Sequence, residues 1–570
     1  MEISEIREFR DYMVNTRHSQ RVNEQREDQT FVEDTFDVPL IKNPKYLIRL
    51  GFVPSMINTV TQQLFGDNPR VFMSPKLNKS GDESSRFKEG TDRAAAEANR
   101  WIKSASRQSV NKPKETGKKL MVRGEAWVYV VHKPELLKMK GLWQEEVPFE
   151  IPVKFVLYDP MVVFSDPNEE IDGEPERVLV YYKRKVSDIK ASYPYWNDNG
   201  RKPTEYIDFT FFFDKKISYA EAGDEPLFME SPKKIANGDG RRDNPYTCVP
   251  FTHAYSGWGM ETEERKPELL AYSRIRPMRG RLVEAATMAS DFAYNIHDKA
   301  WKTRNLYIPM DVTLPPDWRD SYSDEPHQLN IIRTPNGEKI ETSDTQVFSA
   351  EVFAYFDRVK ADLAADFPSS MRGMAGGSSG RQEDVLTNNA HSIYDCLVEN
   401  NNLLWARSID KGMQICSHLN MIPRKMKEGD AESYSEITVD LKKDDPMAES
   451  RRSAEGDRKY QLGIIDSEEL YMEYMGKTKE EAKALKARLF IDQRIKNSPF
   501  LGQIIDEVVA EKLGKTNRLN ELRNQGKDTT GMNPTPQFGS QGGSMRLGEL
   551  SDVSNADLST RHEARVSPGG

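Results

Sequence analysis

Cysteine is scarce in this chain: its 570 residues contain three, Cys248, Cys396 and Cys416. An odd and sparse set argues against a disulfide framework and fits a reducing compartment. Long apolar runs are also missing. Nothing approaches the ~18 consecutive apolar residues of a membrane helix. The opening stretch, Met1 to Met13, is charged and has no apolar h-region, so neither a signal peptide nor a membrane partner is expected. Apolar residues make up a modest 37% and charged residues 30%. The surface is therefore large and wet, or part of the chain is not packed. An excess of positive charge is missing as well: 81 Lys and Arg face 90 Asp and Glu, for a net charge of −9. Binding nucleic acid by charge alone needs clustered cations, which this balance does not supply.

Signatures of chemistry are equally thin. No GxxxxGK[ST] pattern occurs; the nearest glycine spacing, Gly117 to Gly124, is followed by Glu125. Gly376 and Gly377 sit in a serine-rich stretch and not after an apolar strand, the context a phosphate cradle needs. No GxSxG elbow is present. His391, Cys396 and His418 fall near one helical pattern without ligand spacing, and no CxxC exists. They read as small core thiols and surface histidines. The expectation is no cofactor, no metal and no catalytic activity.

What is present is a sequence of patterns. Residues 1–35 are highly charged with helical patches and read as an exposed helix or arm. Leu47, Leu50, Ile57, Val60 and Leu64 suit a helix interrupted near Pro54. It stops at Gly66-Asp67-Asn68-Pro69. Residues 88–110 read as a polar, alanine-rich helix. Leu120–Val131 alternates with period two, which predicts a strand. Strands are also expected at Val153–Tyr158, Met161–Phe164, Val178–Tyr182 and Tyr206–Phe213, with turns at Asp159-Pro160 and Asp166-Pro167. Roughly 115–255 is thus β-rich, with a loop at 234–244.

From about 268 the period becomes helical, with Leu282, Ala285, Ala289, Phe292 and Ile296 on one face and Glu284, Asp291 and Asp298 on the other. A small insertion follows: a strand at Asn305–Met310, a tip containing Pro315, Pro316, Trp318 and Pro326, and a strand at Leu329–Arg333. A returning helix at about 349–366 carries Val352, Phe356, Val359 and Leu363. A Gly/Ser loop (Pro368–Gln382) and one long helix to about Cys416 come next, with Asn400–Asn402 as a candidate kink. A strand at 437–442 and a helical module at 450–515 complete the pattern, with capping-box spacings at Asp466…Glu469 and Thr478…Glu481. Beyond about 525 the composition predicts disorder. The class is α+β. Two apolar-faced helices joined through a small β knob are either an ordinary hairpin in a monomer core or a stalk that packs against neighbouring copies in a closed ring.

Several segments together resemble the portal (head–tail connector) proteins of tailed double-stranded DNA phages, over about residues 35–515. They are Leu64-Phe65-Gly66-Asp67-Asn68-Pro69 ending an early helix, and Gly124-Glu125-Ala126-Trp127-Val128-Tyr129, similar to the family's GEAY strand. Asp159-Pro160 with Val163-Phe164-Ser165-Asp166-Pro167, Val249-Pro250-Phe251 before the stem, and Ser378-Ser379-Gly380-Arg381 before the long helix are the others. The resemblance implies a β-rich wing (36–268), preceded by an arm (1–35). Stem helices would lie at 269–302 and 347–366, flanking a clip at 303–346. A tunnel loop (367–383), a long helix returning to the wing (384–449), a crown (450–515) and a loose tail (516–570) would follow.

The resemblance further implies a ring, typically of twelve copies, at one capsid vertex in the virion, assembled in the host cytoplasm. Double-stranded DNA would pass through it. Partners would be the terminase large subunit, the major capsid and scaffolding proteins, and a head–tail adaptor. Arg372, Gly376, Gly377, Ser378, Ser379 and Arg381 would approach DNA. Pro315, Pro316, Trp318 and Pro326 would dock partners. Asp291, Asp298, Asp357 and Asp362 would give the stem an acidic wall that lets DNA slide. An enzyme of DNA metabolism, or a scaffold that forms no ring, are the competing readings.

Overall fold

Two short helices open the chain, and both are buried against it. The computed structural model describes residues 2–38, 47–77, 85–133, 151–171, 173–228, 240–300, 304–313, 329–335, 339–342, 348–367, 391–423, 426–427, 429–442, 446–475 and 482–490. The fold is mixed α+β. The chain divides into two units, Met1–Ala484 and Leu485–Gly570. In the second, residues 485–490 are helical.

Helix α1 (Ile3–Tyr12) leads through a π-turn (Met13–Arg17) into α2 (Ser19–Val32). Ile6, Phe9 and Met13 pack on Phe164, Leu179, Phe212 and Tyr219. The arm expected to be exposed is therefore a cover over one sheet face. Helix α3 (Phe52–Leu64) has Pro54 in its first turn, where a missing N–H costs nothing, so the proline starts the helix and does not interrupt it. The chain then enters strand β1 (Phe65–Pro75) directly. Gly66–Pro69 ends the helix as expected and forms an irregularity inside the strand.

Helix α4 (Ser85–Ser106) precedes α5 (Lys112–Arg123) and β2 (Glu125–His132). Here the expectation of a strand from Leu120 is corrected: Leu120–Arg123 is helical. The Asn111 side chain caps the first turn, accepting from Lys114 N–H, and Pro113 suits that turn. Gly124 ends the helix at φ 77°.

Strands β3 (Val153–Tyr158), β4 (Val163–Phe164), β5 (Glu170–Ile171), β6 (Glu174–Pro175) and β7 (Arg177–Lys185) follow. Pro160–Val162 is a 3-10 turn, which shortens the strand expected from Met161. Asp159 and Asp166 each accept a hydrogen bond from the backbone N–H two residues on, which makes the expected turns. Helix α6 (Val186–Ser192) leads to β8 (Tyr206–Asp214), β9 (Ile217–Ala222), β10 (Glu225–Pro226), β11 (Arg242–Asp243) and β12 (Phe251–Tyr255).

Two sheets form the β-rich body. One has the order β10-β9-β8-β7-β4 with β11 on β9; the other is β12-β2-β3. Alternation along β7 explains the layering. Val178 and Val180 face Trp127 and Phe251 of the second sheet, while Leu179 faces helix α1.

After α7 (Pro267–Leu270) comes α8 (Arg279–Ala300), then β13 (Arg304–Pro309), β14 (Leu329–Thr334), β15 (Lys339–Thr342) and α9 (Ala350–Asp366). Helix α10 (Asp395–His418) runs unbroken through the asparagines expected to kink it. Asn401 anchors it instead, accepting from Thr116 Oγ1 at 2.7 Å and donating to the Pro113 carbonyl at 2.9 Å. Strand β16 (Tyr434–Lys442) pairs antiparallel with β1, and α11 (Pro446–Gln461) follows. The Asp466–Glu469 capping box is formed. The second expected box, Thr478–Glu481, the tail from 516, and the helix start at 384–390 lie outside the described residues.

The main core joins α3, α4, α5, β2, α8, α9 and α10 through side chains such as Met56, Trp101, Leu120, Val128, Leu282 and Leu404. Among the described residues no helix is long and apolar enough to cross a membrane.

Candidate functional site

Helices α8 and α9 form an antiparallel hairpin. Arg281 Nη1 donates to the Asp362 carbonyl at 3.0 Å near one end. Toward the other, Phe292 stacks on Phe353 at 5.1 Å and meets Phe356 and Phe348 edge-on at 5.1 and 4.8 Å. The root is buried: Leu282, Ala285, Ala286, Val359 and Leu363 belong to the main core. Between the helices the chain forms a mixed sheet of order β14-β13-β15, with β13 parallel to β14 and antiparallel to β15. The two strands expected in the insertion are there; the third, β15, was not foreseen.

Beyond the root the hairpin leaves apolar surface in water. Ile296 is 65% exposed, and Phe353 and Tyr355 are each 50% exposed. Exposed apolar side chains of this size mark candidate contact surfaces.

The four acidic positions fall on this hairpin but do not form one face. Glu284, Asp291 and Asp298 recur at seven-residue spacing along α8, which places them on a single stripe. Burial raises the Asp291 carboxyl above its ordinary range, and the nearby Glu284 charge adds to the shift. On α9, Asp357 and Asp362 are five residues apart, more than a quarter-turn from alignment, and both are exposed. Asp357 lies 3.9 Å from Lys360 Nζ, a cation that also sits 4.0 Å from the Phe356 ring centre. The α9 surface is thus mixed in charge, and the α8 stripe is acidic. The candidates Arg372, Gly376, Gly377, Ser378, Ser379 and Arg381, with Pro315, Pro316, Trp318 and Pro326, lie outside the described residues.

A second constellation was not foreseen. Arg279, the first residue of α8, is held by three carboxylates of helix α2. Its Nε donates to Asp28 Oδ1 at 2.9 Å, and its Nη1 donates to Glu24 at 2.7 Å and Glu27 at 2.6 Å. The adjoining stripe of α2 is keyed into the sheet body. Arg21 donates to Glu125 and to the carbonyls of Pro160 and Val163, each carbonyl at 2.9 Å. Gln25 donates to Glu125 Oε1 at 2.8 Å.

Glu125 in turn meets His253 Nε2 at 3.0 Å, and His253 Nδ1 meets Glu170 at 2.9 Å. Trp127 stacks on the imidazole at 4.0 Å and 11°. Burial alone would lower the His253 pKa; Glu170 and Glu125 outweigh it and raise the value to about 9. Burial likewise opposes ionisation of Glu125, but Arg21 and then His253 hold it down at about 2. Both imidazole nitrogens face carboxylates, which leaves no lone pair for a metal. Among the described residues no grouping of His, Cys, Asp and Glu is placed to hold a metal ion. Cys396 is half-buried, Cys416 is buried, and His418 is exposed.

No family model and no curated protein sequence matches the chain.

Proposed function

We propose that the chain is the subunit of a portal ring, a channel through which double-stranded DNA enters a phage capsid and later leaves it. The observation that carries this reading is the hairpin. Its root is fixed in the core, it holds a small sheet between its helices, and Ile296, Phe353 and Tyr355 remain in water beyond the root. Apolar surface is worth about 25 cal/mol per Å² when it leaves water. Closed rotational packing of identical hairpins is a direct way to bury it.

The acidic stripe on α8 suits a conduit. Duplex DNA carries about one negative charge per 1.7 Å, and each cation–phosphate contact adds grip through counterion release. A wall presenting Glu284 and Asp291 repels phosphates and lets the duplex slide. The net charge of −9 per subunit is compatible with such a passage. The wing, stem, clip and crown take the segments given above, in a ring of twelve at a virion vertex built in the host cytoplasm. The terminase large subunit and the head–tail adaptor dock on the clip, and capsid and scaffolding proteins surround the ring. A conduit of this kind carries out no catalysis of its own.

Electron imaging of the purified full-length chain tests the reading. Rings with a central hole are expected; single subunits persisting at high concentration contradict it. Within a ring, shortening Gly376–Ser379 is expected to impair DNA packaging while sparing assembly. Trp318→Ala is expected to weaken motor and adaptor binding.

A further inference from the structure

Helix α2 is unusual in what it buries. His18, Arg21, Gln25 and Asp28 follow one another at spacings of three and four, so they share a face. All four are buried: Gln25 and Asp28 are wholly covered. A polar stripe is expensive to bury unless its partners are already in place. Here they are. His18 Nε2 bonds the Ser165 carbonyl at 2.8 Å. Arg21 finds Glu125 and two carbonyls, and Gln25 exchanges bonds with Arg123, whose Nη1 donates to the Gln25 carbonyl at 2.8 Å. Asp28 finds Arg279.

Gly124 makes this slot possible. Its left-handed turn places Glu125 at the start of β2, and a Cβ there would collide with the Ala271 carbonyl carbon and lie 2.5 Å from Tyr272 N. The arrangement couples three parts of the chain. Arg21 and Gln25 reach the sheet body. Glu24, Glu27 and Asp28 reach the first residue of the hairpin. Arg276, just before the hairpin, lies 3.3 Å from Glu24.

We propose that α2 is a strut that sets the root of the α8–α9 hairpin against the sheet body. One stripe is keyed by charge into the Glu125–His253–Glu170 cluster and the next clamps Arg279, so that undocking at either end is transmitted to the other. Helix α1 anchors the strut through Ile6, Phe9 and Met13 and through Arg7 and Arg10 on Glu221, and α2 is the part keyed by charge along its buried polar stripe. This inference does not rest on ring assembly and is read on the subunit in any oligomeric state.

Amide hydrogen exchange on the full chain tests it. Arg21→Met perturbs the body end, and the readout is the far end. Exchange is expected to rise about tenfold or more at residues 279–286 as well as 19–32, while helix α4 stays unchanged. A rise confined to 19–32 overturns the proposal, because α2 would then move alone. An equal rise in α4 also overturns it, because the effect would be global.

If Arg21→Met does not fold, Glu24→Gln with Glu27→Gln weakens the opposite end at partly exposed positions. These two changes are expected to raise exchange at 19–22, the end keyed to Glu125. Raised salt on the unaltered chain is expected to do the same. No change at 19–22 in either case overturns the strut.

Discussion

Glu125 Oε2 and His253 Nε2 lie 3.0 Å apart, with both side chains at most 3% exposed to solvent. They come from adjacent strands, β2 and β12, and each has a second partner of opposite sign, Arg21 and Glu170. Two cations and two anions thus neutralise one another away from bulk solvent. Replacing one member leaves a buried, uncompensated charge, which is why such sets are intolerant of single changes.

The pH dependence of stability follows. The His253 pKa rises on folding from 6.5 to about 9. Its contribution is fully present below pH 6.5 and is lost as pH rises through 9. It amounts to roughly 3 kcal/mol. Glu125 works in the other direction: its stabilisation is present above its ordinary 4.5 and is lost as pH falls toward 2. His18, buried and beside Arg21, is held well below 6.5, so it also costs stability once the medium is acidic enough to charge it in the unfolded chain. A thermal-unfolding profile is expected to decline on both sides of neutrality. His253→Gln is expected to flatten the alkaline limb; an unchanged slope between pH 7 and 9 contradicts the assignment.

A backbone prediction concerns Gly124. Alanine there is strained at φ 77° and meets the backbone of Ala271 and Tyr272. Gly124→Ala is expected to cost more than about 2 kcal/mol, because both the turn and the neighbouring chain must shift. Chemical denaturation measures this, and a loss below 1 kcal/mol would mean that the close approach is not real.

Lys411 offers a separate check. Its Nζ is buried and donates to the carbonyls of Val249 at 2.9 Å and Phe251 at 3.1 Å, with Glu174 at 3.4 Å. Lys411→Met keeps the stem of the side chain and strands two carbonyls. A loss of about 2–4 kcal/mol is expected. Stability equal to the unaltered chain would show that the ammonium is dispensable.

Parts of the fold were legible because they follow simple periods. Val352, Phe356, Val359 and Leu363 marked α9 to within a residue, and the alternating aromatics of Tyr206–Phe213 marked β8. The start at Leu120 was misread because three alternating residues fit a strand and a helix equally. Asn111, by its side-chain cap, and Gly124, by its left-handed backbone, settle the matter without adding to any apolar period. In the arm, Ile6, Phe9 and Met13 already offered a helical apolar stripe; its second helix was misread for a deeper reason. Hydrophobic periodicity cannot see a helix buried through His18, Arg21, Gln25 and Asp28, since the slot that receives them is assembled from Glu125, Pro160, Val163 and Arg279, far away in the chain. Of the candidate site, the acidic stripe on α8 was visible as a helical repeat. The α9 acids were grouped with it by charge alone, and Lys360 shows that their surroundings differ.

The exposed hairpin residues separate assembly from folding. Ile296→Ser with Tyr355→Ser changes two side chains that the subunit leaves half or more in water. Subunit stability is expected to move by less than about 1 kcal/mol. Assembly is expected to fall by tenfold or more in apparent affinity, about 1.4 kcal/mol or greater. Sedimentation alongside thermal unfolding reads both, and assembly unaffected by the pair would place the subunit contact elsewhere.

Native mass spectrometry of the full-length chain addresses the ring most directly. Twelve copies of the 65.3 kDa subunit give a species of about 780 kDa. That species, dissociating to single subunits when Ile296 and Tyr355 are replaced, is the predicted result. A chain that stays at 65.3 kDa across the accessible concentration range would contradict the account.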